Sequence, residues 1–304
     1  MIHEYAVDPN SLSSFNEIWQ ALEQFGVENG RLVVECPKRW WAIVKQNLEQ
    51  AQETLPAEEF KVLEDRCHNL RHSGKLTRRR GLQFDGQQAS WIRGLATEHS
   101  TRPFRAAIQL NTEDRSVDIP VLSRFDLHDG NPLWQVERSV YVSRDEHELA
   151  VAAIPLLAIS TDMLFIDPYF SAEPRHCIGL SAMLNGAIKG GAKPQRLEVH
   201  TKTTAATPHL SEQIHLLVVA KVRDCPAITV VRWTQREGGE RLHDRFILTD
   251  RGGLEIPGGT DGSRKTVGES TNVHLLNQRT YEFRWQQYQL ETSAFELVEK
   301  FTVL

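Results

Sequence analysis

The chain has 304 residues, enough for two ordinary domains whose cores need neither disulfides nor metals to hold them together. Apolar residues make up 40% and charged residues 25%, a balance that excludes a disordered or fibrous chain. With a formal net charge of −5, the molecule as a whole does not attract nucleic acid or anionic lipid, so either partner would have to be met by a local basic patch.

The opening MIHEYAVDPN has neither a basic nor an apolar leader segment, and no run approaches the roughly 20 apolar residues that cross a bilayer, so a cytoplasmic protein without a membrane partner is expected. Cys36, Cys67, Cys177 and Cys225 are scattered, with no CxxC pair, and are expected as core thiols. His128-Asp129 and His176-Cys177 lack partners at metal-ligand spacing, so neither a metal nor another cofactor is expected.

In chain order, SLSSFNEIWQALEQFG carries Phe15, Ile18, Trp19, Leu22 and Phe25 at helical spacing, with Ser11 or Ser13 as the cap and Gly26 as the stop. RLVVEC (31–36) reads as a short buried strand, and helices follow at about 38–52 and 57–71. From 72 to about 140 the periodicity fades into isolated turn residues and the extended runs RAAIQL and VLSRFDL. The turn signals His128-Asp129-Gly130-Asn131-Pro132 place a domain boundary near 130–145. Residues 1–140 are expected as an α+β domain that recognises nucleic acid or protein, and 141–304 as a second domain.

That second domain alternates regularly. A helix at about 146–160 leads to the strand MLFID (163–167), and a helix ending near Lys189 leads to the strand RLEVH (196–200). A helix at about 209–223 then precedes the strands ITVVRW (228–233) and LHDRFILTD (242–250). Strands alternating with such helices predict an α/β domain with a mixed, mostly parallel sheet covered by helices.

Read as a strand, LHDRFILTD presents His243 and Arg245 side by side on one face, with Asp244 on the other. A neutral imidazole is a competent nucleophile toward phosphorus, and a guanidinium fork matches phosphate oxygens. Asp250, at the strand's end, can orient an imidazole and fix its tautomer.

His243, Arg245 and Asp250 resemble the His-x-Lys-x4-Asp signature of the phospholipase D superfamily, with Arg in place of Lys. Gly259-Thr260-Asp261-Gly262 stands where that family has a Gly-Ser-x-Asn-like turn. MLFIDPYF and TNVHLLNQRTYEFRWQQY look like the family's opening strand and its closing strand and helix. The resemblance covers roughly residues 145–290 and is nearest in flavour to MIT-domain C-terminal modules and to bacterial proteins of mobile or antiviral-defence gene clusters.

The resemblance implies a phosphodiesterase in which two motifs face each other without metal. One histidine forms a phosphohistidine and the other protonates the leaving group. This chain shows one motif, so activity implies a homodimer. The divergent branch also contains members that bind phosphate without turnover, so a silent subunit of a larger assembly stands as the alternative. Thr260, Asp261, Arg264 and Lys265 are then expected at the phosphate. His200 and Lys202, which spell a second His-x-Lys at a strand end, are candidates for the same pocket. The stretch GTDGSRKT is not a phosphate-binding Walker loop, because Arg264 replaces its second glycine. In RHSGKLTRRR, Arg71, Lys75, Arg78, Arg79 and Arg80 form the one strong basic run, read either as a nucleic-acid contact or as a solvated loop.

Overall fold

The computed structural model describes residues 1–13, 16–79, 82–85, 90–109, 118–202, 206–261 and 268–304. The chain divides into two compact units, Ile2–Glu137 and Arg138–Leu304, each built on its own sheet. No helix among the described residues is long and apolar enough to cross a membrane.

In the first unit the strands are β1 (His3–Val7), β2 (Arg31–Val34), β3 (Leu76–Thr77), β4 (Ala106–Ile108) and β5 (Val121–Leu122). They lie in the order β3-β2-β1-β4-β5, and every neighbouring pair is parallel. The helices between them are α1 (Asn16–Glu23), α2 (Trp40–Thr54), α3 (Ala57–His72) and α4 (Trp91–Thr101). Alternate strand residues split the core in two. Tyr5, Val7, Val33 and Ile108 pack with Leu22, Trp40, Val44 and Cys67 of α1–α3, whereas Ala6, Val34 and Ala107 pack with Ile92 and Leu95 of α4.

The unit is therefore doubly wound α/β, with helices on both faces, and not the α+β domain expected from sequence. Its strands are two to five residues long, and β2 is buried at every position. So short a strand, covered on both sides, shows no period of two to read. Beyond β5, fully buried Trp134 folds back onto β1. Its ring meets Tyr5 at 5.8 Å and Phe25 at 5.6 Å, and the Arg31 guanidinium lies 4.4 Å from it while bonding the Trp134 carbonyl at 2.8 Å.

The second unit contains, in order, β6 (Ser139–Ser143), α5 (Glu146–Leu157), β7 (Asp162–Ile166), α6 (Pro174–Lys189), β8 (Arg196–Thr201), α7 (Thr207–Ile214) and β9 (Ile228–Thr234). After these come β10 (Phe246–Thr249), β11 (Gly252–Glu255), β12 (Ser270–Leu275), α8 (Gln278–Gln287) and β13 (Glu296–Val303). The sheet order is β13-β9-β8-β7-β10-β11-β12-β6. Only β7–β8 and β8–β9 are parallel, and the other five pairings are antiparallel.

The sheet is mixed, as expected, but it is mostly antiparallel and not mostly parallel. Among the described residues from β10 through β11 to β12 there is no helix, in keeping with antiparallel neighbours, which need no crossover. Tyr281 and Trp285 of α8 pack over Leu164, Ile166, Phe246 and Leu248. By alternation, Met163 and Phe165, equally buried, turn to the opposite face. Helices α5 and α6 meet at close range, because a Cβ on Gly186 would lie 2.1 Å from Ile154 Cδ1.

The indole N–H of Trp134 is buried without a hydrogen-bond partner. Trp134→Ala should therefore cost about 3–5 kcal/mol of unfolding free energy in urea titration, and Trp134→Phe clearly less, because the phenyl ring keeps the packing and removes an unsatisfied donor.

Candidate functional site

Strands β7, β8 and β9 run parallel, so their C-terminal ends share one edge of the sheet, and β10, antiparallel to β7, begins at that same edge. Side chains following three strands and preceding a fourth converge there. Asp167 and Tyr169 follow β7, Lys202 follows β8, Gln235 follows β9, and Arg241, Leu242, His243 and Arg245 precede β10.

The motif is not borne along a strand. Pairing begins only at Phe246, so His243, Asp244 and Arg245 lie in the approach to β10 and the strict alternation expected of them does not apply. Asp244, expected on the far face, instead meets the His243 ring at Nδ1 and is itself held by Arg284 of α8 at 3.0 Å. A carboxylate on Nδ1 keeps the proton there and leaves the Nε2 lone pair for chemistry. The His243 side chain is 50% exposed.

The register explains the rest of the motif. Phe246 pairs with Ile166 and Thr249 with Met163, so one step further at each end sets Arg245 opposite Asp167 and Asp250 opposite Asp162. Arg245 Nε donates to Asp167 at 3.3 Å, and its Nη1 donates to the Pro257 carbonyl. At the other end, the Asp250 carboxylate accepts the backbone N–H groups of Thr161 and Asp162 at 2.8 and 3.0 Å. Asp250 is thus removed from the imidazole by the length of a four-residue strand, on the order of 13 Å. The expectation that it orients His243 is corrected: Asp244 does so, and Asp250 fastens β10 to β7.

Beside His243 opens a cleft of about 560 Å³ lined by Tyr169, Lys202, Arg232, Trp233, Thr234, Gln235, Arg241, Leu242, His243 and Val298. Three of these residues are cations and none is a carboxylate. Lys202 Nζ sits 4.3 Å from the Tyr169 ring centroid and 3.4 Å from the Leu242 carbonyl. Arg232 is mostly buried and paired with Glu299 at 2.9 Å, whereas Arg241 is exposed.

The remaining expected phosphate ligands divide. Arg264 and Lys265 lie outside the described residues. Thr260 and Asp261 are buried and do not line the cleft. Asp261 is an anion held by Arg144 at 2.8 Å and Arg175 at 3.5 Å, so its charge serves those arginines and would repel a phosphate. With Asp167 and Arg245 it forms a charged layer around Gly259, and His176 lies beside it. Burial pushes the Asp167 carboxyl up, against the Tyr169 N–H and Arg245, and pushes the His176 imidazole down.

His200 is also corrected. It is fully buried, with Nδ1 accepting the Trp233 indole N–H at 2.8 Å. An indole can only donate, so the imidazole proton is on Nε2, facing Glu198 at 3.0 Å. Burial would raise the Glu198 carboxyl, but hydrogen bonds from His200 and Arg196 bring it down to about 2. His200 belongs to the core, and only Lys202 of that pair reaches the cleft.

In the first unit the basic run disperses. Lys75 donates to the carbonyls of Leu22 and Glu23 at the end of α1, Arg78 pairs with Glu35 at 2.7 Å, and Arg79 is buried on Glu4 at 2.8 Å. Arg71 is exposed over the Trp41 ring at 5.6 Å, and Arg80 lies outside the described residues. Sequence adjacency does not show which of these cations have local partners, and so leaves both the nucleic-acid contact and the solvated loop open.

Sequence reasoning missed Asp244, Arg241 and Arg284, and the counter-charges Arg144 and Arg175. Asp244 lay inside the motif and was discounted by the strand alternation. The arginines carry no local pattern. Among the described residues no group of three or more His, Cys, Asp or Glu side chains is placed to hold a metal ion. No family model matches the sequence, and no curated protein matches it.

Burial also holds the His200 imidazole below its ordinary 6.5. A histidine with a depressed folded value is protonated more readily in the unfolded chain, so stability is retained at neutral pH and declines as pH falls through about 6.5. Thermal unfolding midpoints of the second unit should therefore drop from pH 7.5 to 5.5. His200→Gln should lower the midpoint at pH 7.5 yet flatten that dependence, and an unchanged slope would contradict the assignment.

Proposed function

We propose that the Arg138–Leu304 unit is a phospholipase D-like domain that acts on nucleic-acid phosphodiesters, with His243 as the nucleophile and two chains completing the active site. The observation that carries this reading is an imidazole, oriented through Nδ1 by Asp244, at the edge of an open cleft whose described lining has Lys202, Arg232 and Arg241 and no carboxylate. Such a cleft attracts a polyanion although the whole chain carries −5.

In the proposed reaction the His243 Nε2 lone pair attacks phosphorus and forms the N–P bond. The P–O bond to the leaving group breaks, and the departing oxygen takes a proton from the His243 of the second chain. Water, deprotonated by that same second imidazole, then attacks the phosphohistidine, breaking the N–P bond and restoring His243. The cations of the cleft balance the charge on the non-bridging oxygens in both steps. A setting in prokaryotic antiviral defence follows from the family resemblance alone.

A second reading is favoured by one observation: among the described residues, His243 is the single imidazole in the cleft lining. A chain that does not pair would bind phosphate without turnover, as a subunit of a larger complex.

The two readings separate on single-stranded DNA and RNA oligonucleotides labelled at one end. His243→Ala should reduce cleavage by at least about a thousandfold with an unchanged circular-dichroism spectrum. Asp244→Asn should reduce it by about 10²–10⁴-fold by releasing the tautomer. Alkaline quenching during turnover should trap an alkali-stable labelled protein. Cleavage at the wild-type rate by His243→Ala would end the enzymatic reading, and tight, salt-sensitive binding with no turnover by a wild-type dimer would establish the binding module.

A further inference from the structure

We infer that the phosphate-binding cation of this site is Lys202, supplied by the strand β8, and that Arg245, which occupies the cation position of the motif, is a brace that does not touch ligand. The inference rests on the phosphate reading of the cleft and says which side chain performs its central task.

Arg245 is spoken for on every side. Its Nε faces Asp167, its Nη1 faces the Pro257 carbonyl, and its Cζ lies 4.6 Å from the Tyr169 ring centroid. Its Cδ is pressed against Gly259, where an added Cβ would come within 3.1 Å of it. The side chain is 25% exposed and does not line the cleft. A guanidinium that leaves these positions abandons a nearly buried Asp167 carboxylate, and stranding a buried charge is expensive.

Lys202 has the complementary properties. It is exposed and lines the cleft. Its backbone N–H is fixed on the Pro168 carbonyl at 3.2 Å, so the stem starts from a defined place. Its ammonium lies on the residue that precedes His243, through the 3.4 Å contact with the Leu242 carbonyl. An ammonium has three N–H donors, and this long contact uses one of them. Tyr169 contacts both cations, with Lys202 Nζ and Arg245 Cζ 4.3 and 4.6 Å from its ring centroid, and so ties the position of the binding cation to that of the brace.

The test is fluorescence anisotropy of a short fluorescein-labelled single-stranded DNA with phosphorothioate linkages, which keep the charge and resist cleavage, titrated with the full chain over a range of salt. Lys202→Met should weaken binding about tenfold. It should also reduce the slope of log Kd against log salt by about 0.7, the loss of one phosphate contact on a single strand. Lys202→Arg should restore most of both, which a merely structural role would not predict. Arg245→Lys should keep the affinity within about twofold while lowering the thermal unfolding midpoint. Wild-type binding that survives Lys202→Met, or that falls as far with Arg245→Lys as with Lys202→Met, overturns the inference and leaves the phosphate reading in place. A wild-type chain that does not bind the probe even at low salt, and whose His243 imidazole resonances do not shift with inorganic phosphate, overturns both.

Discussion

The geometry of the second unit depends on the pairing of β10 against β7 in one register. The pairing is fixed at both ends by charge. Arg245 faces Asp167 where β10 begins, and the Asp250 carboxylate takes the backbone N–H groups of Thr161 and Asp162 where it ends. A slip by one residue would carry Phe246 and Leu248 away from α8 and bring Ile247 under it, and would part both charged contacts together. The five-residue separation of Arg245 and Asp250 is thus the length of a four-residue strand plus its closing step. The same pairing sets the start of β10 beside the ends of β7 and β8, and from that placement the cleft follows.

Charge in this unit is arranged in two layers. Beneath the motif, Asp167 and Asp261 are matched by Arg245, Arg144 and Arg175, and the layer closes around Gly259, whose φ of +84° and close neighbours disfavour a side chain. Within the cleft, Lys202 and Arg241 are exposed cations and none of the described lining residues is a carboxylate. The lower layer is built from matched ion pairs, which hold loops in place more than they add net stability. The upper layer leaves positive charge uncompensated at a sheet edge, where an anionic ligand can complete it.

Much of this was legible in the sequence, and the losses have physical causes. The helix–strand alternation from Glu146 to Thr234 was readable because each element is long enough to show its period, and β7, β8 and β9 lie within a residue or so of their expected bounds. The first unit was misread because strands such as Leu76–Thr77 and Val121–Leu122 are too short for any pattern. Its parallel order is set by tertiary packing of α1–α4 on both faces. LHDRFILTD misled in a different way: its alternation is real over Phe246–Thr249 and was extended across three residues that do not pair. His200 and Lys202 are adjacent alternates on paper, yet one fills the core and the other the cleft, because β8 ends between them.

The cleft also bears on why a single motif is a sufficient reading for a dimer and an insufficient one for a monomer. Under the proposed chemistry, one group must carry a lone pair to phosphorus while another gives a proton to the leaving oxygen, and one imidazole cannot be in both protonation states at once. Among the described residues lining the cleft, His243 is the only imidazole, and Asp244 at its Nδ1 leaves Nε2 free to carry either a nucleophile's lone pair or an acid's proton. In the proposed dimer the acid is the His243 of the second chain. With the His243 side chain half exposed at the cleft edge, a two-fold axis passing near that edge would bring the second imidazole in by symmetry, each serving as the acid for the other. Catalysis in this reading is a property of the pair of chains, while phosphate binding, which needs only the exposed cations Lys202, after β8, and Arg241, before β10, belongs to each chain alone.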